Sequence, residues 1–216
     1  MRIMRYISKA IRNPQLVMNY FYAKHEGLIL SVKITTYNQD QLEDNSLNFE
    51  ISDHVEEIHS FYKRMGRIGS MKQDKISAFL SNKNECILVK HNEKVIGAMW
   101  ILRGSLILDT MSAKILSLRD RIRLNEDTLY GAYVIIDEAY RGLKINQKLL
   151  NFILNHYALQ TKDKKLLLIT GISNGAYISS VMKFETNLIG IVRVLNFCGM
   201  KKRVELYMNE KEKLWR

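Results

Sequence analysis

The chain has 216 residues, which is enough for one well-cored domain with an appendage but short for two ordinary domains. Hydrophobic residues make up 47% of the chain and charged residues 25%, a composition that excludes an intrinsically disordered protein. The net charge of +11 would attract nucleic acid, anionic lipid or a polyanionic cofactor, so the distribution of that charge has to decide among them.

The N-terminal segment is basic and amphipathic. Its cationic residues precede the first acidic residue, Glu26, and alternate with large apolar and aromatic residues: Arg2, Arg5, Lys9, Arg12 and Lys24. Asn13 followed by Pro14 is typical of a helix start, so we expect two short helices, the second ending at Gly27. We expect residues 1–25 to bind an anionic membrane surface; the alternative is that these helices pack on their own domain.

The start of the chain does not resemble a targeting signal. Residues 1–13 lack the uninterrupted apolar stretch and the small-residue cleavage site of a secretory signal. The sequence also has no run of about 20 apolar residues, the length that a membrane-spanning helix needs. We therefore expect a cytoplasmic protein, peripheral to the inner face of the membrane if the basic segment binds there.

A polar stretch separates the N-terminal segment from the rest of the chain. The apolar residues 28–34 predict a short strand, and the polar residues 38–46 after it predict a linker. We therefore expect an extension of residues 1–46 and a domain of residues 47–216. The domain begins with a predicted strand at 47–51.

The first half of the domain predicts two helices and a hairpin. Asp53 and Glu56 form a capping pattern for a helix with one apolar face, made by Val55, Ile58, Phe61, Tyr62 and Met65. A second short helix follows residue 70. Residues 86–104 then predict two strands joined by a tight polar turn at 91–93.

The second half of the domain predicts a strand, helix, strand unit. After an insertion with a basic helical stretch at 113–123, the pattern predicts a strand at 128–136, a helix at 144–160, a strand at 165–172, a helix at 174–184 and two closing strands. The helix at 144–160 has one apolar face, made by Ile145, Leu149, Leu150, Ile153, Leu154 and Tyr157. This order indicates a mixed α/β domain around one crossover unit, as in domains that bind nucleotides or cofactors.

Residues 136–150 resemble the signature of the GNAT superfamily of acyltransferases. The sequence IDEAYRGLKINQKLL has the strand end, acidic turn, Tyr-Arg-Gly and helix of that signature, although Lys144 and Asn146 replace both of its diagnostic glycines. The resemblance implies a mixed, mostly antiparallel central sheet flanked by helices, here with a helical N-terminal extension. It also implies that the co-substrate is acetyl-CoA or another acyl-CoA.

In the family, the turn before the helix binds the pyrophosphate of CoA. Such a turn aims backbone N–H groups and a helix N-terminus, about half a positive charge, at the phosphates. A right-handed backbone at Lys144 would preserve the turn, whereas a positive φ would add strain of about 1 kcal/mol. The resemblance assigns this role to Ile136, Arg141, Gly142, Leu143, Lys144, Ile145 and Asn146.

Residues 169–208 are similar to the closing segment of the same family. Asn174 matches an asparagine that reaches the pantetheine arm, although a plain N-cap also explains it. The position of the family's general-acid tyrosine falls on Val181, and Tyr177, one turn earlier, is the nearest replacement. Residues 8–22, SKAIRNPQLVMNYFY, resemble a segment shared by some members of the family from bacterial surface-polysaccharide and cell-envelope gene clusters. This resemblance implies an amino sugar or another envelope precursor as acceptor.

Alternation along the strand at 128–136 places Tyr130 on the same face as Ile136, where many family members have a general-base glutamate. A tyrosine, with a pKa near 10, is a poor base at neutral pH. We therefore expect Tyr130 to order a water that leads to Glu126 or Asp127. The alternative is an aromatic residue packed in the core.

These features predict a CoA-dependent N-acetyltransferase that acts on a small-molecule amine. A non-catalytic module that binds CoA or lipid at the membrane surface is the alternative, and nucleic-acid binding is least supported because the basic residues are not interleaved with an exposed aromatic platform. Cys86 and Cys198 lie far apart in apolar runs and the histidines are scattered, so we expect reduced thiols and no metal site.

Overall fold

The computed structural model describes residues 22–37, 46–67, 69, 71–103, 127–160, 165–197 and 201–208, with the backbone alone for 22–25, 194–197 and 201–208. These residues form eight strands, four α-helices and one 3-10 turn. The strands are β1 (Tyr22–Lys33), β2 (Leu47–Ser52), β3 (Glu85–His91), β4 (Lys94–Leu102), β5 (Thr128–Ile136), β6 (Lys165–Gly171), β7 (Thr186–Phe197) and β8 (Lys201–Met208). The helices are α1 (Val55–Arg64), α2 (Gln73–Ser81), α3 (Ile145–Leu159) and α4 (Gly175–Val181), and the 3-10 turn is Glu138–Tyr140.

The described strands form one mixed sheet in the order β2-β3-β4-β5-β6-β1-β7-β8. Their neighbours are antiparallel except for β5 and β6, which are parallel and are joined by α3. The predicted fold class, a mostly antiparallel sheet flanked by helices around one crossover unit, is confirmed. The crossover unit lies in the middle of the sheet, and the candidate site is built there.

Strand β1 lies inside the sheet, between β6 and β7. The prediction of a helix ending at Gly27 is wrong, because residues 22–27 are the first half of this strand. Gly27 lies opposite Gly171 of β6 and Val192 of β7, and a Cβ there would come within 3.0 Å of the Val192 side chain. The sheet therefore includes residues that precede the boundary expected at residue 46. Residues 1–21 of the two expected helices, the linker residues 38–45 and the basic stretch 113–123 lie outside the described residues.

The helices cover the two faces of the sheet in pairs. Helices α1 and α2 pack on one face around Trp100, and α3 and α4 pack on the other. The predicted apolar face of α3 is confirmed, because all six of its residues are 3% exposed or less. Each such side chain contributes about 1.5–3 kcal/mol when it is fully buried, so this face fixes the position of the helix. None of the described helices is long and apolar enough to cross a membrane.

Helix α1 confirms the predicted apolar face but not the predicted cap. Ile58, Phe61 and Tyr62 are buried. The N-cap residue is His54, which makes no side-chain cap hydrogen bond. A capping pair at Asp53 and Glu56 would require the helix to begin one residue earlier than it does.

The hairpin and the buried thiol agree with the sequence. Asn92 and Glu93 form the two-residue turn between β3 and β4, with φ values of 48° and 62°, as a tight hairpin turn requires. Cys86 on β3 is a free, fully buried thiol whose pKa is raised well above its ordinary value by burial. Cys198 lies outside the described residues.

Candidate active site

The two parallel strands at the centre of the sheet separate partway along their length. Strand β5 pairs with β6 from Thr128 opposite Lys165 to Gly131 opposite Leu168. Beyond that point β5 stays paired with β4 as far as Ile136, and β6 stays paired with β1 as far as Gly171. An opening therefore forms between the carboxyl-terminal halves of β5 and β6. Ligands of open α/β sheets bind at such carboxyl ends.

A β-bulge lies in β5 at the start of this opening. Ala132 lies opposite Trp100 and Ile135 opposite Ala98, so two residues of β5, at 133 and 134, face Met99 alone. Tyr133 has a positive φ of 52°, an unusual conformation for a tyrosine. The bulge turns the local backbone of β5 away from regular sheet pairing at the point where a ligand would enter.

The bulge reverses the expected orientation of Tyr130. The extra residue shifts the alternation by one, so Tyr130 packs with Ala132 and Ile135 on the α1 face, whereas Ile136 packs on the α3 face. The prediction that Tyr130 and Ile136 share one face is therefore wrong. Tyr130 is 6% exposed and lines the cavity described next. Its proposed partner Glu126 lies outside the described residues, and Asp127 accepts a hydrogen bond from the Thr128 hydroxyl at 3.2 Å.

A cavity of about 1050 Å³ occupies the opening between the strands. Its lining comes from both sides of the sheet: the end of α1 and the loop after it contribute Arg64, Met65 and Arg67, and the α3 side contributes the turn after β5, Asn174 and three residues of α4. The cavity therefore reaches from one face of the sheet to the other. Its volume is at the upper end of the usual range for small-molecule pockets, about 300–1,000 Å³.

The turn at 137–144 forms the mouth of the cavity on the α3 side. The Asp137 side chain accepts a hydrogen bond from the Ala139 N–H at 3.1 Å, which starts the 3-10 turn. Gly142 has a φ of +87°, and Lys144, the N-cap residue of α3, has a φ of +58°. Of the two backbone conformations considered for Lys144, the structure has the one with positive φ. This conformation costs about 1 kcal/mol for a residue with a Cβ.

The first turn of α3 has hydrogen-bonding groups that are not paired with a capping side chain. Lys144 makes no side-chain cap, and the first intrahelical bond runs from Lys148 N–H to the Lys144 carbonyl at 3.0 Å. The N–H groups of residues 145–147 are therefore left for an external acceptor. The Asn146 side-chain oxygen is also buried, and it has no hydrogen-bond partner among the described residues.

The structure brings together seven of the eight residues predicted to bind the cofactor: Ile136, Arg141, Gly142, Lys144, Ile145, Asn146 and Asn174. Leu143 is not part of the lining, and its side chain is 57% exposed. Arg141 forms an exposed ion pair with Glu138 at 3.0 Å. Four cationic side chains (Arg64, Arg67, Arg141 and Lys144) and two carboxylates (Asp137 and Glu138) are the charged groups among the described lining residues.

Asn174 is the N-cap of α4. Its side-chain oxygen accepts a hydrogen bond from the Tyr177 N–H at 3.4 Å, and its side-chain NH₂ donates to the Thr170 hydroxyl at 3.2 Å. The cap interpretation is thus realised. The NH₂ group still has a second hydrogen, and Asn174 itself is exposed and lines the cavity.

Tyr177 follows one turn into α4 and also lines the cavity. It is 7% exposed, and burial, with a smaller effect of the nearby Tyr130, raises the pKa of Tyr177 well above its ordinary value. Val181, at the position of the family's tyrosine, is fully buried and does not line the cavity.

The sequence did not mark Arg64, Arg67 and Tyr133, on the α1 side of the cavity, as site residues. The position of Arg64 and Arg67 at the end of a helix has an ordinary structural explanation, because a helix C-terminus favours positive charge in any protein. Tyr133 looked like an ordinary strand residue, and nothing in the sequence marked the bulge. The cluster of cations at 63–67 was the one available signal, because a single lysine would satisfy the helix end.

No protein-family model matches this chain, and no curated protein is similar to it. Solved structures are similar in fold. A GNAT-family acetyltransferase from Colwellia psychrerythraea superposes with a TM-score of 0.51 at 14% identity, over 87% of this chain and 57% of that one. A second structure, from Novosphingobium aromaticivorans, is described as a putative acetyltransferase of the GNAT family. It superposes with a TM-score of 0.52 at 9% identity, over 79% of this chain and 63% of that one.

A third structure is a GCN5-related glucosamine N-acetyltransferase region of a fungal multi-domain β-N-acetylglucosaminidase. It gives a TM-score of 0.57 at 13% identity, over 88% of this chain and 23% of that one. The chain thus spans less than two thirds of the length of each of these three proteins. With the mixed sheet, the separating strands and the turn before α3, these likenesses show that this chain has the fold of the GNAT acetyltransferases.

Proposed function

We propose that this chain is an acyl-CoA-dependent N-acyltransferase that moves an acetyl or another short acyl group to an amine. The main support is the cavity that crosses the sheet where β5 and β6 separate, with a phosphate-binding type of turn at one mouth. Such a passage lets a cofactor enter from one face and an acceptor from the other. The GNAT-fold acetyltransferases that resemble the chain support the same reaction class.

The residues at the α3 mouth fit a CoA molecule. The free N–H groups at the start of α3 and the cations of Arg141 and Lys144 would bind the pyrophosphate, because they combine directed donors with positive charge. The orphaned Asn146 oxygen can accept a hydrogen bond from an amide of the pantetheine arm. Asn174 can donate to a carbonyl of that arm through its second amide hydrogen.

The chemistry that these residues would promote is acyl transfer to nitrogen. The amine nitrogen forms a bond to the acyl carbon, the carbon–sulfur bond breaks, and the proton lost by the nitrogen balances the one gained by the sulfur. A backbone N–H of the bulge in β5 is suited to donate to the thioester carbonyl. Tyr130, about 10 Å along the strand from Asp127, would need ordered water to connect the amine with Asp127 or Glu126.

Tyr177 is the proposed hydrogen-bond donor to the leaving sulfur. Its raised pKa keeps the phenol protonated at working pH. An alkyl thiol such as cysteine has a pKa near 8.5, so a phenol with a pKa above 10 does not surrender its proton completely to the thiolate. Tyr177 would therefore stabilise the departing sulfur by donating a hydrogen bond, and the final proton would come from solvent.

The proposed acceptor is an amino sugar or another cell-envelope precursor, supported by the resemblance to members from polysaccharide gene clusters. The proposed site of action is the cytoplasmic face of the membrane, with residues 1–25 as the contact to anionic lipid. Residues 1–21 of this basic segment lie outside the described part of the chain.

Two measurements in sequence test the proposal. Calorimetric titration with acetyl-CoA first establishes binding, and thiol release from acetyl-CoA is then followed with a panel of amines. Because Cys86 is buried, it should contribute little background to a thiol reagent, and a protein-only blank corrects for the rest. Amine-dependent release supports an enzyme. Binding without release for any amine identifies the alternative, a non-catalytic CoA-binding module.

A further inference from the structure

We propose that the acceptor amine carries an anionic group, a phosphate or a carboxylate, and that Arg67 together with Arg64 binds this group at the α1 mouth of the cavity. This inference rests on the proposed acyltransferase function. It adds the chemical class of the acceptor, which the fold leaves open.

The positions of the proposed cofactor-binding residues indicate which mouth of the cavity the cofactor uses and which is left for the acceptor. The turn before α3, Asn174 and Tyr177 all lie on the α3 side of the sheet. If CoA is held there with its thioester in the opening between β5 and β6, the acceptor must approach from the α1 side. The described residues that line this side include Arg64, Met65, Arg67, Tyr130, Tyr133 and Ile169.

The charged side chains of the described residues on the acceptor side have one sign. Both carboxylates of the described lining, Asp137 and Glu138, belong to the turn at the other mouth. Arg64 and Arg67 are the charged lining residues on the acceptor side. The Lys75 ammonium lies just behind the wall, donating to the Tyr133 hydroxyl at 2.7 Å. A polyamine would meet repulsion there, whereas a phosphate or carboxylate would meet matching charge.

The two arginines are held in place by the surrounding backbone. The Arg64 guanidinium donates to the Val95 carbonyl and lies 5.4 Å from the centre of the Phe61 ring. The backbone N–H of Arg67 donates to the Tyr62 carbonyl at 2.8 Å, which fixes the loop after α1. A planar guanidinium on a fixed loop is suited to bidentate binding of phosphate or carboxylate.

The same charges would assist the reaction. An amine nucleophile must be neutral, and neighbouring cations lower the pKa of an ammonium. Among the described residues, the titratable and charged side chains on this wall are Arg64 at the end of α1, Arg67 after it, Lys75 on α2, and Tyr130 and Tyr133 on β5, with Tyr177 facing them from α4. None of these described side chains is a carboxylate that would stabilise the protonated amine.

The test measures anion binding on protein saturated with CoA, so that the cofactor site is already filled. Inorganic phosphate is titrated into the full chain by calorimetry, for the wild type, Arg67→Gln, Arg67→Lys and Lys63→Gln. Lys63 precedes Arg64 on α1, is exposed and does not line the cavity, so Lys63→Gln removes one charge without touching the wall. We expect about tenfold weaker phosphate binding in Arg67→Gln, little change in Lys63→Gln and partial recovery in Arg67→Lys.

A kinetic comparison uses acceptors that differ by one anionic group: phosphoethanolamine against ethanolamine, and β-alanine against β-alaninamide, with spermidine as the polycation. The anionic member should have a KM about tenfold lower, and Arg67→Gln should remove that preference. Equal phosphate binding in all four proteins, or a preference for spermidine, would overturn the proposal. Absence of CoA binding in the first step would instead show that the proposed function itself has failed.

Discussion

The Tyr62 hydroxyl of α1 donates a hydrogen bond to the backbone carbonyl of Tyr133 at 2.8 Å. Tyr133 is the bulge residue of β5, and its own hydroxyl accepts from the Lys75 ammonium of α2 at 2.7 Å. The two helices on one face of the sheet therefore hold the backbone that opens the cavity toward the other face. Since Tyr62 is 2% exposed, water cannot replace it as a donor.

Replacing Tyr62 with phenylalanine should loosen the bulge. The Tyr133 carbonyl would lose its partner, so the free energy of unfolding in urea should fall by about 1–3 kcal/mol. Acetyl-CoA binding should weaken as well, because the bulge lies in the cavity wall. Tyr37→Phe is the control, since the Tyr37 hydroxyl also bonds backbone groups but lies away from the cavity. Equal loss of acetyl-CoA affinity in both variants would contradict a role for the Tyr62 contact in the site.

Lys144→Gly should stabilise the protein while it weakens cofactor binding. Glycine adopts a φ of +58° without a Cβ clash, so the free energy of unfolding should rise by up to about 1 kcal/mol. The loss of an exposed cation should weaken acetyl-CoA binding about two- to fivefold. Lys83→Gly is a matched control, because Lys83 also has a positive φ, 57°, and does not line the cavity. It should gain stability and keep full affinity.

The features set by local patterns could be predicted from the sequence. The apolar face of α3 repeats at the helical period and faces one layer of core, so six spaced residues sufficed to locate it. Strand β5 was predicted at its observed bounds because β-branched and aromatic residues fill it. The turn after it was recognised through Arg141 and Gly142, and both line the cavity.

The features set by long-range contacts could not be predicted. Strand β1 pairs with residues more than 130 positions away, and its first half, rich in charged and small residues, has no apolar alternation that would mark a strand. The bulge at Tyr133 is stabilised by Tyr62 and Lys75 from two other elements, so residues 128–136 alone do not reveal it. That single extra residue was enough to assign Tyr130 to the wrong face.

Acetyl-CoA should stabilise the protein through the turn at 141–146. Ligand at about 100 times its Kd should add about 2.7 kcal/mol to the free energy of unfolding, and Arg141→Glu should abolish most of that gain. Lys33→Glu serves as control, because Lys33 forms a comparable exposed ion pair, with Glu185 at 3.1 Å, outside the cavity. Thermal melts give the measurement. An unchanged shift in Arg141→Glu would remove this turn from the cofactor site.

Tyr177→Phe should lower kcat more than it weakens acetyl-CoA binding, because the hydroxyl would act on the leaving sulfur. The pKa of Tyr177 is raised above its ordinary value of about 10, so the phenol is protonated at every lower pH. The pH profile of kcat below pH 10 must then reflect other groups, and its limbs should not move in the variant. The stability that the protonated phenol of Tyr177 contributes should be lost only as the pH rises above about 10. A kcat equal to that of the wild type would exclude Tyr177 from the mechanism.

The position of β1 decides how the membrane prediction can be tested. Deleting residues 1–27 would remove half of a strand that lies between two others, so that truncation should unfold the sheet. Deleting residues 1–21 leaves β1 intact and removes Arg2, Arg5, Lys9 and Arg12. Each basic residue near an anionic bilayer contributes about 1 kcal/mol, so these four should suffice for reversible binding at low salt.

Vesicle co-sedimentation with anionic and neutral lipid is the measurement, for the full chain and for the chain lacking residues 1–21. Binding of the full chain to anionic vesicles should weaken with salt, because exposed charges are screened over about 8–10 Å at physiological ionic strength. It should disappear in the truncated chain, whose circular dichroism and acetyl-CoA affinity should match those of the full chain. If the truncated chain unfolds, or if the full chain does not bind anionic vesicles at low salt, the basic segment packs on its own domain instead.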